Sequence, residues 1–471
     1  MVISDRDTML RRRLTRRQAV QGAAGIGAGT LAAVALPTIR PRRAGAQATP
    51  TFTREASITS WGFGAEETNP MAFSRVDAFK QAYPNIKLEL VSEFDQQKLL
   101  TGFASGQVPD LLWMDRFTIA SWAARDVLQP LDDLIAQAGI DTAKYYPAAL
   151  DEVTYDGKIY GLPGFIDVRG LYVNLDALAE VGQDPAALDT SNWDQLAQLG
   201  AQLVKREGDR VDRWGFDHKI QTAPSSHLWL WGTGNGGTFM SEDGKEVTFD
   251  DPKVVEALAW GVKSYEDQGG FQSYEGFATT WQGDEQFARG QVAMTLYENW
   301  MLGIVARVAP DLNFRVLPVK ARGDANRLVS FSGGPAWCIP NGAKDAEAAW
   351  ELIKFMDNIE TWRIGAQGVK SFAQQNGRPY TPSLTANKEA DQMQIDEFYE
   401  SIAPQLDEAV NLWPQILEQS FIRPAAKSPA GNEISDILSQ DGVLPALRGE
   451  KSAEDALKDA DSNAQDAIDS L

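Results

Sequence analysis

The chain has 471 residues, 43% of them hydrophobic and 23% charged, a length that implies more than one core. Its formal charge of −21 argues against a nucleic-acid partner, which needs a basic face. A single cysteine, Cys338, and only two histidines, His218 and His227, leave no intramolecular disulfide, no cysteine-based zinc site and little for a catalytic triad.

The first 46 residues read as an address. Arg11-Arg12-Arg13-Leu14-Thr15-Arg16-Arg17 precedes a weakly apolar, Ala- and Gly-rich stretch over residues 22–36, and Ala44-Gly45-Ala46 follows as a small-residue cleavage motif. Thr15-Arg16-Arg17-Gln18-Ala19-Val20 resembles a twin-arginine export signal. The apolar stretch is short and glycine-rich for a membrane span, so removal after Ala46 is expected. No Cys near that point could carry a lipid.

The mature chain then alternates strands with helices. Ser57–Trp61 alternates like a strand and ends at Gly62 and Gly64. Phe73, Val76 and Phe79 recur at helical spacing up to Pro84. Ile86–Val91 reads as a second strand, residues 97–105 as a helix closed by Gly106, and Asp110–Asp115 as a short buried strand. This order predicts an α/β lobe with a mostly parallel sheet, whose ligands sit beyond the carboxyl ends of the strands. Residues 122–127 are expected to be helical. Tyr155–Tyr160 reads as a hairpin turning at Asp156-Gly157, and Leu171–Val173 as an apolar strand. A second α/β run follows, through Trp214–Phe216, a helix near Leu228, a long helix from Pro252 to Asp267, a helix around Phe287 and the strand Val292–Leu296. Gly333-Gly334-Pro335 breaks the chain before Ala336–Ile339. Ala346–Met356 reads as a helix, and from about residue 385 helices dominate to the end.

Six strings, in order, carry a resemblance. They are Phe79-Lys80-Gln81-Ala82-Tyr83-Pro84-Asn85-Ile86-Lys87, Ala104-Ser105-Gly106-Gln107-Val108-Pro109-Asp110, Tyr155-Asp156-Gly157-Lys158-Ile159-Tyr160-Gly161-Leu162-Pro163, Leu171-Tyr172-Val173-Asn174-Leu175-Asp176, Phe287-Ala288-Arg289-Gly290-Gln291-Val292-Ala293-Met294 and Ala456-Leu457-Lys458-Asp459-Ala460. Together they resemble the extracellular solute-binding proteins of ABC importers, in the sugar-binding branch of maltose-binding protein. The resemblance implies a type II periplasmic-binding-protein fold: two α/β lobes joined by hinge crossings, with a ligand cleft between them. We expect residues 47–166 plus 331–378 in the first lobe and 167–330 plus 379–471 in the second.

The resemblance also nominates residues. Trp113, Asp115 and Arg116 match a sugar-contacting Trp-x-x-Asp-Arg segment with one residue fewer. Asp167 falls where the family has an acidic contact after its Leu-Pro pair, and Trp300 where a tryptophan stacks on a sugar ring. The family's C-terminal cleft segment, near Trp413 to Asn432 here, aligns poorly, a departure that leaves the exact sugar open. Sugar chemistry adds further candidates, because pyranose C–H faces stack on aromatic rings while hydroxyls want charged or amide partners. Arg169, Tyr297, Glu298, Asn299, Trp229 and Trp231 join on that ground, with His227 a better prospect than His218. Trp337 joins because it follows Gly333-Gly334, where backbone, Gly334 included, can approach a ligand closely. The resemblance adds Phe63 and Glu66, in a first loop longer than the family's. For Trp113 and Trp300 a strand-exit position favours the cleft. Trp193, Trp214, Trp260, Trp350 and Trp362 read as core. Asp115 could equally cap a turn, and Asp167 and Arg169 could form a hinge ion pair.

The function implied is a non-enzymatic receptor, without cofactor, that closes on a sugar and passes it to ABC permease subunits as a monomer. Two alternatives stay open: the same fold binding a polyamine or another small solute, and a secreted carbohydrate-active enzyme with two facing carboxylates.

Overall fold

The computed structural model describes residues 52–64, 69–219 and 224–471. The export leader and Glu66 lie outside the described residues, as does the side chain of His227. In chain order the strands are β1 (Ala56–Trp61), β2 (Ile86–Val91), β3 (Leu111–Asp115), β4 (Thr154–Tyr155), β5 (Lys158–Ile159), β6 (Leu162–Pro163), β7 (Arg169–Asn174), β8 (Lys205–Glu207), β9 (Arg210–Asp217), β10 (Val292–Glu298), β11 (Phe314–Leu317), β12 (Lys320–Ala321), β13 (Asp324–Leu328) and β14 (Pro335–Cys338).

Two five-stranded sheets result, in the orders β2-β1-β3-β14-β6 and β11-β7-β10-β9-β8. In the first, β1 lies parallel to both β2 and β3, and the helices Pro70–Ala82 and Gln96–Ser105 make the crossovers. Asn69 caps the first helix by accepting from the Ala72 N–H, with Pro70 at its first position. Gly106 closes the second in the left-handed conformation. Gly62, at φ +86°, ends β1 where any Cβ would collide with the Trp113 carbonyl. The second sheet centres on β10, buried along its whole length between β7 and β9.

The crossings between the sheets run side by side. Asp167 and Gly333 form an antiparallel bridge, each N–H donating to the other's carbonyl at 3.1 Å. A third strand of chain joins them, because the Phe421 N–H donates to the Ser330 carbonyl and the Ser332 N–H to the Phe421 carbonyl. Arg116 binds this hinge together. Its guanidinium donates at 2.6 Å to the carbonyls of both Phe165 and Gly333, and its Nε lies 3.1 Å from Glu152. Burying that charge is tolerable only because every face of the fork meets an acceptor.

Three expectations shift. The helix expected over residues 122–127 runs instead over Ile119–Ala124, and that expected around Phe287 is a short 3-10 turn, Gly283–Glu285. Lys388–Phe398 packs on the helix Ile359–Gln375, beside the first sheet, so the return expected at residue 379 comes later. The following helix, Pro404–Glu418, is the one that packs on β11. At the end of the chain, Ala453–Asp469 buries Ala456, Leu457, Ala460, Ala464 and Ala467, in keeping with the helices expected there.

Candidate ligand site between the lobes

A cavity of about 470 Å³ opens beyond the carboxyl ends of both sheets. Gln96 and Phe117 line it from the first lobe, and His218, Lys219, Leu296 and Glu298 from the exits of β9 and β10. Arg169 and Phe331 reach it from the hinge, Trp229 from the helix Pro224–Gly234, and Arg423, Ser435 and Asp436 from the C-terminal segment.

Three rings form its apolar part. Trp229 lies with its ring centre 5.3 Å from Phe117 and 5.8 Å from Phe331. Each phenylalanine carries an arginine on its face: Arg169 sits 3.9 Å above Phe331, and Arg423 4.9 Å above Phe117. Among the described residues, Arg169, Lys219 and Arg423 on the wall are each already paired. Arg169 meets Asp167 at 2.5 Å and Glu298 at 3.0 Å, and Lys219 shares Glu298. Arg423 forks to Asp115 and to the fully buried Glu152. Lys219 is held at φ +62° with its ammonium 3.8 Å from the centre of the Tyr297 ring. Burial first, and the Arg169 charge second, push its pKa down to about 7.

A smaller hollow of about 260 Å³ lies along the hinge and is lined by Asp167, Asn299, Trp300 and Gly334. The Asn299 side chain accepts from the Val168 N–H at 3.1 Å, so it serves the crossing itself. Trp300, 43% exposed, stands edge-on to Tyr297. The sequence candidates therefore divide: Arg169, Glu298 and Trp229 line the cavity, while Asp167, Asn299, Trp300 and Gly334 line the hollow beside it.

Other candidates fall in the core or in supporting positions. Trp113 and Trp337 are cross-strand partners in β3 and β14 with ring centres 4.1 Å apart, and Phe63 packs on Trp337. All three are buried, and Gly164 leaves room for the Trp113 ring. Trp113 is two residues short of the strand exit, about 7 Å deeper than Asp115, and that depth covers it. Trp231 is enclosed by Trp193, His218 and Trp260. Arg116 is the hinge clamp described above, and Tyr297 is buried with its hydroxyl on Asp284. Asp115 caps the Phe117 N–H at 3.0 Å and holds Arg423. The tryptophans read as core, Trp193, Trp214, Trp260, Trp350 and Trp362, are all buried.

Phe117, Lys219, Phe331, Arg423, Gln96 and Asp436 escaped the sequence reading. Lys219 had a usable signal, since Asp217-His218-Lys219 is the exit of a strand whose core residues, Trp214 to Phe216, were recognised. Arg423 had only its place in the poorly aligned C-terminal cleft segment, an irregular stretch with no periodicity to single it out.

The profile of bacterial extracellular solute-binding proteins matches residues 74–397, more than two thirds of the chain. The chain belongs to the bacterial extracellular solute-binding proteins. Relatives of this solute-binding protein include a Brucella abortus (strain 2308) homologue named only as a binding protein, 26% identical over 85% of this chain and 90% of its own. A maltooligosaccharide ABC transporter solute-binding lipoprotein of Streptococcus pneumoniae (strain R6) is 22% identical over 77% of each. Among solved structures, an ABC substrate-binding protein of Listeria monocytogenes in complex with cycloalternan superposes with a TM-score of 0.70. It is 20% identical, over 88% of this chain and 99% of that one. The likeness gives the fold: two α/β lobes of the type II periplasmic binding proteins. Among the described residues of this binding protein, no helix is long and apolar enough to cross a membrane.

Proposed function

We propose that this chain is the exported receptor of an ABC importer. It binds a sugar or oligosaccharide between its lobes and presents it, as a closed monomer, to membrane permease subunits without altering it. The observation that carries the ligand class is the pairing on the cavity wall. Arg169, Lys219 and Arg423 each already face a carboxylate of the protein, so a neutral polyhydroxyl solute fits without upsetting the balance of charge. Its hydroxyls would exchange water for charged groups and amides, and its C–H faces would lie against Trp229, Phe117 and Phe331. A polyamine would meet three cations there. The relatives that bind maltooligosaccharide and cycloalternan support the same class.

Closure follows from differential affinity. A ligand that touches Gln96 and Phe117 on one lobe and Glu298 and Trp229 on the other binds the closed state better than the open one. The twin-arginine leader, removed after Ala46, would deliver the protein already folded to the outer side of the cytoplasmic membrane. N-terminal sequencing of protein from the periplasm or medium tests that route, and a start at Met1 would overturn it.

The ligand class is tested by thermal shift and calorimetry over mono- and oligosaccharides, a glycerophosphodiester and spermidine. Saccharide binding without product formation is the expected result. A response to spermidine or the phosphodiester alone would overturn the sugar reading, and released product would make the protein an enzyme.

A further inference from the structure

Beside the main cavity lies a second hollow, of about 330 Å³, that no part of the reading above uses. Its base is made by two first-lobe helices, Gln96–Ser105 and Ile119–Ala124, and its roof by the C-terminal helix Gly431–Ile437. Gln96, Asn432 and Asp436 line both spaces, so the two are contiguous through three polar side chains.

We propose that this hollow is an outer subsite for the next unit of a linked saccharide, which makes the ligand at least a disaccharide. The inference rests on the sugar reading and deepens it.

Three observations carry it. The first is the shared polar rim: an amide on each of two facing helices and a carboxylate are suited to the hydroxyls flanking a glycosidic bond. The second is Leu100, one of the few large apolar side chains exposed to solvent among the described residues, at 40%. The preceding residue, Leu99, is fully buried and anchors the helix, so Leu100 is free to offer an apolar surface to a sugar face. The third is Trp122. It forms part of the wall, is only 3% exposed, and its indole Nε1–H finds no acceptor among the described residues. A buried donor without a partner carries a desolvation cost, so closure that brings a ligand hydroxyl within its reach would be favoured. Arg125 completes the wall with a further donor.

The architecture separates the two subsites by lobe. The main cavity draws most of its wall from the second lobe and the hinge, whereas the outer hollow is built from the first lobe and the C-terminal helix. A ligand spanning both would therefore bridge the lobes through more contacts than one unit could make, and its closed state would be favoured accordingly.

The test is calorimetric titration of the full chain with glucose, arabinose and mannose, with their disaccharides and trisaccharides, and with lactose. Two variants accompany it. Leu100→Arg fills the outer hollow from an exposed helix position, and Trp122→Phe removes the indole donor while keeping an aromatic ring. The expected result is that a disaccharide or trisaccharide binds at least about tenfold more tightly than its monosaccharide. Leu100→Arg should abolish that gain and leave the monosaccharide within about twofold of the unaltered protein. Trp122→Phe should reduce the gain by roughly three- to tenfold. Saccharide binding that ignores chain length, or a length gain that survives Leu100→Arg, would overturn the outer subsite and leave the sugar reading standing. Failure of every saccharide to bind would overturn the sugar reading, and the outer subsite with it.

Discussion

Arg423 donates through its Nε to the buried carboxylate of Glu152 at 2.8 Å, and Glu152 in turn holds the hinge clamp Arg116 at 3.1 Å. One carboxylate therefore ties the C-terminal segment to the crossing strands. Arg423→Ala should lower unfolding free energy by about 3 kcal/mol, because it strips a partner from a wholly buried charge. Asp115, half exposed, holds the other side of the fork, and Asp115→Asn should cost less than about 1 kcal/mol. Urea denaturation of the two variants checks the contrast; equal losses would contradict it.

Tryptophans give a second prediction. Trp113→Ala and Trp231→Ala remove rings packed on Trp337 and on Trp193 and Trp260, and each should cost about 3–5 kcal/mol. Trp300 is 43% exposed and touches Tyr297 only edge-on, and Trp300→Ala should cost no more than about 1 kcal/mol. Chemical denaturation separates the two groups, and a folded, fully stable Trp113→Ala protein would show that ring to be dispensable to the core.

A third concerns Asp391, whose burial pushes its pKa up to about 8 despite hydrogen bonds from Thr385 and Tyr146. The native state then holds a proton that the unfolded chain releases near 3.8. This contribution to stability is fully present below pH 3.8 and is lost as pH rises towards 8. Asp391→Asn should be the more stable protein at pH 8, by about 1–3 kcal/mol, and should lose that advantage towards pH 4. Melting curves of both proteins across this range supply the check, and parallel curves would refute it.

Lys219 runs the other way. Its pKa falls from an ordinary 10.5 to about 7, so the unfolded chain holds a proton that the native state has released between those values. Stability from this group is present above pH 10.5 and is lost as pH falls through 7. Lys219→Met should flatten that part of the profile relative to the parent, measured as the difference in melting temperature between pH 7 and pH 10. An unchanged difference would mean that the ammonium stays hydrated.

Much of the scaffold was legible because its signals are local. Alternation marks β1, and an apolar run between turn residues marks β3. Gly106 and Pro84 stop helices by known chemistry, and Asp156-Gly157 turns the short hairpin where expected. The site was less legible. The strand-exit rule selects a region of chain and says nothing of depth, and so it promoted Trp113, which lies one pleat too deep, along with Asp115 at the true edge. Trp337 was promoted because it follows Gly333-Gly334, yet its register places it directly opposite Trp113 in the core. Arg423 and Asp436 meet Lys219 and Glu298 only through tertiary packing across more than a hundred residues of chain, a relationship that no spacing records.

The profile match stops at residue 397, and the cavity wall contributed by Arg423, Ser435 and Asp436 lies wholly beyond it. The family profile thus spans much of the frame, while part of the recognition surface is written in a tail outside it, although relatives and solved structures that cover 85–88% of the chain extend into that tail. Grafting such a tail between homologues, with the carboxylate that receives its arginine, becomes a route to exchanging cargo preference without rebuilding the machine that closes on it.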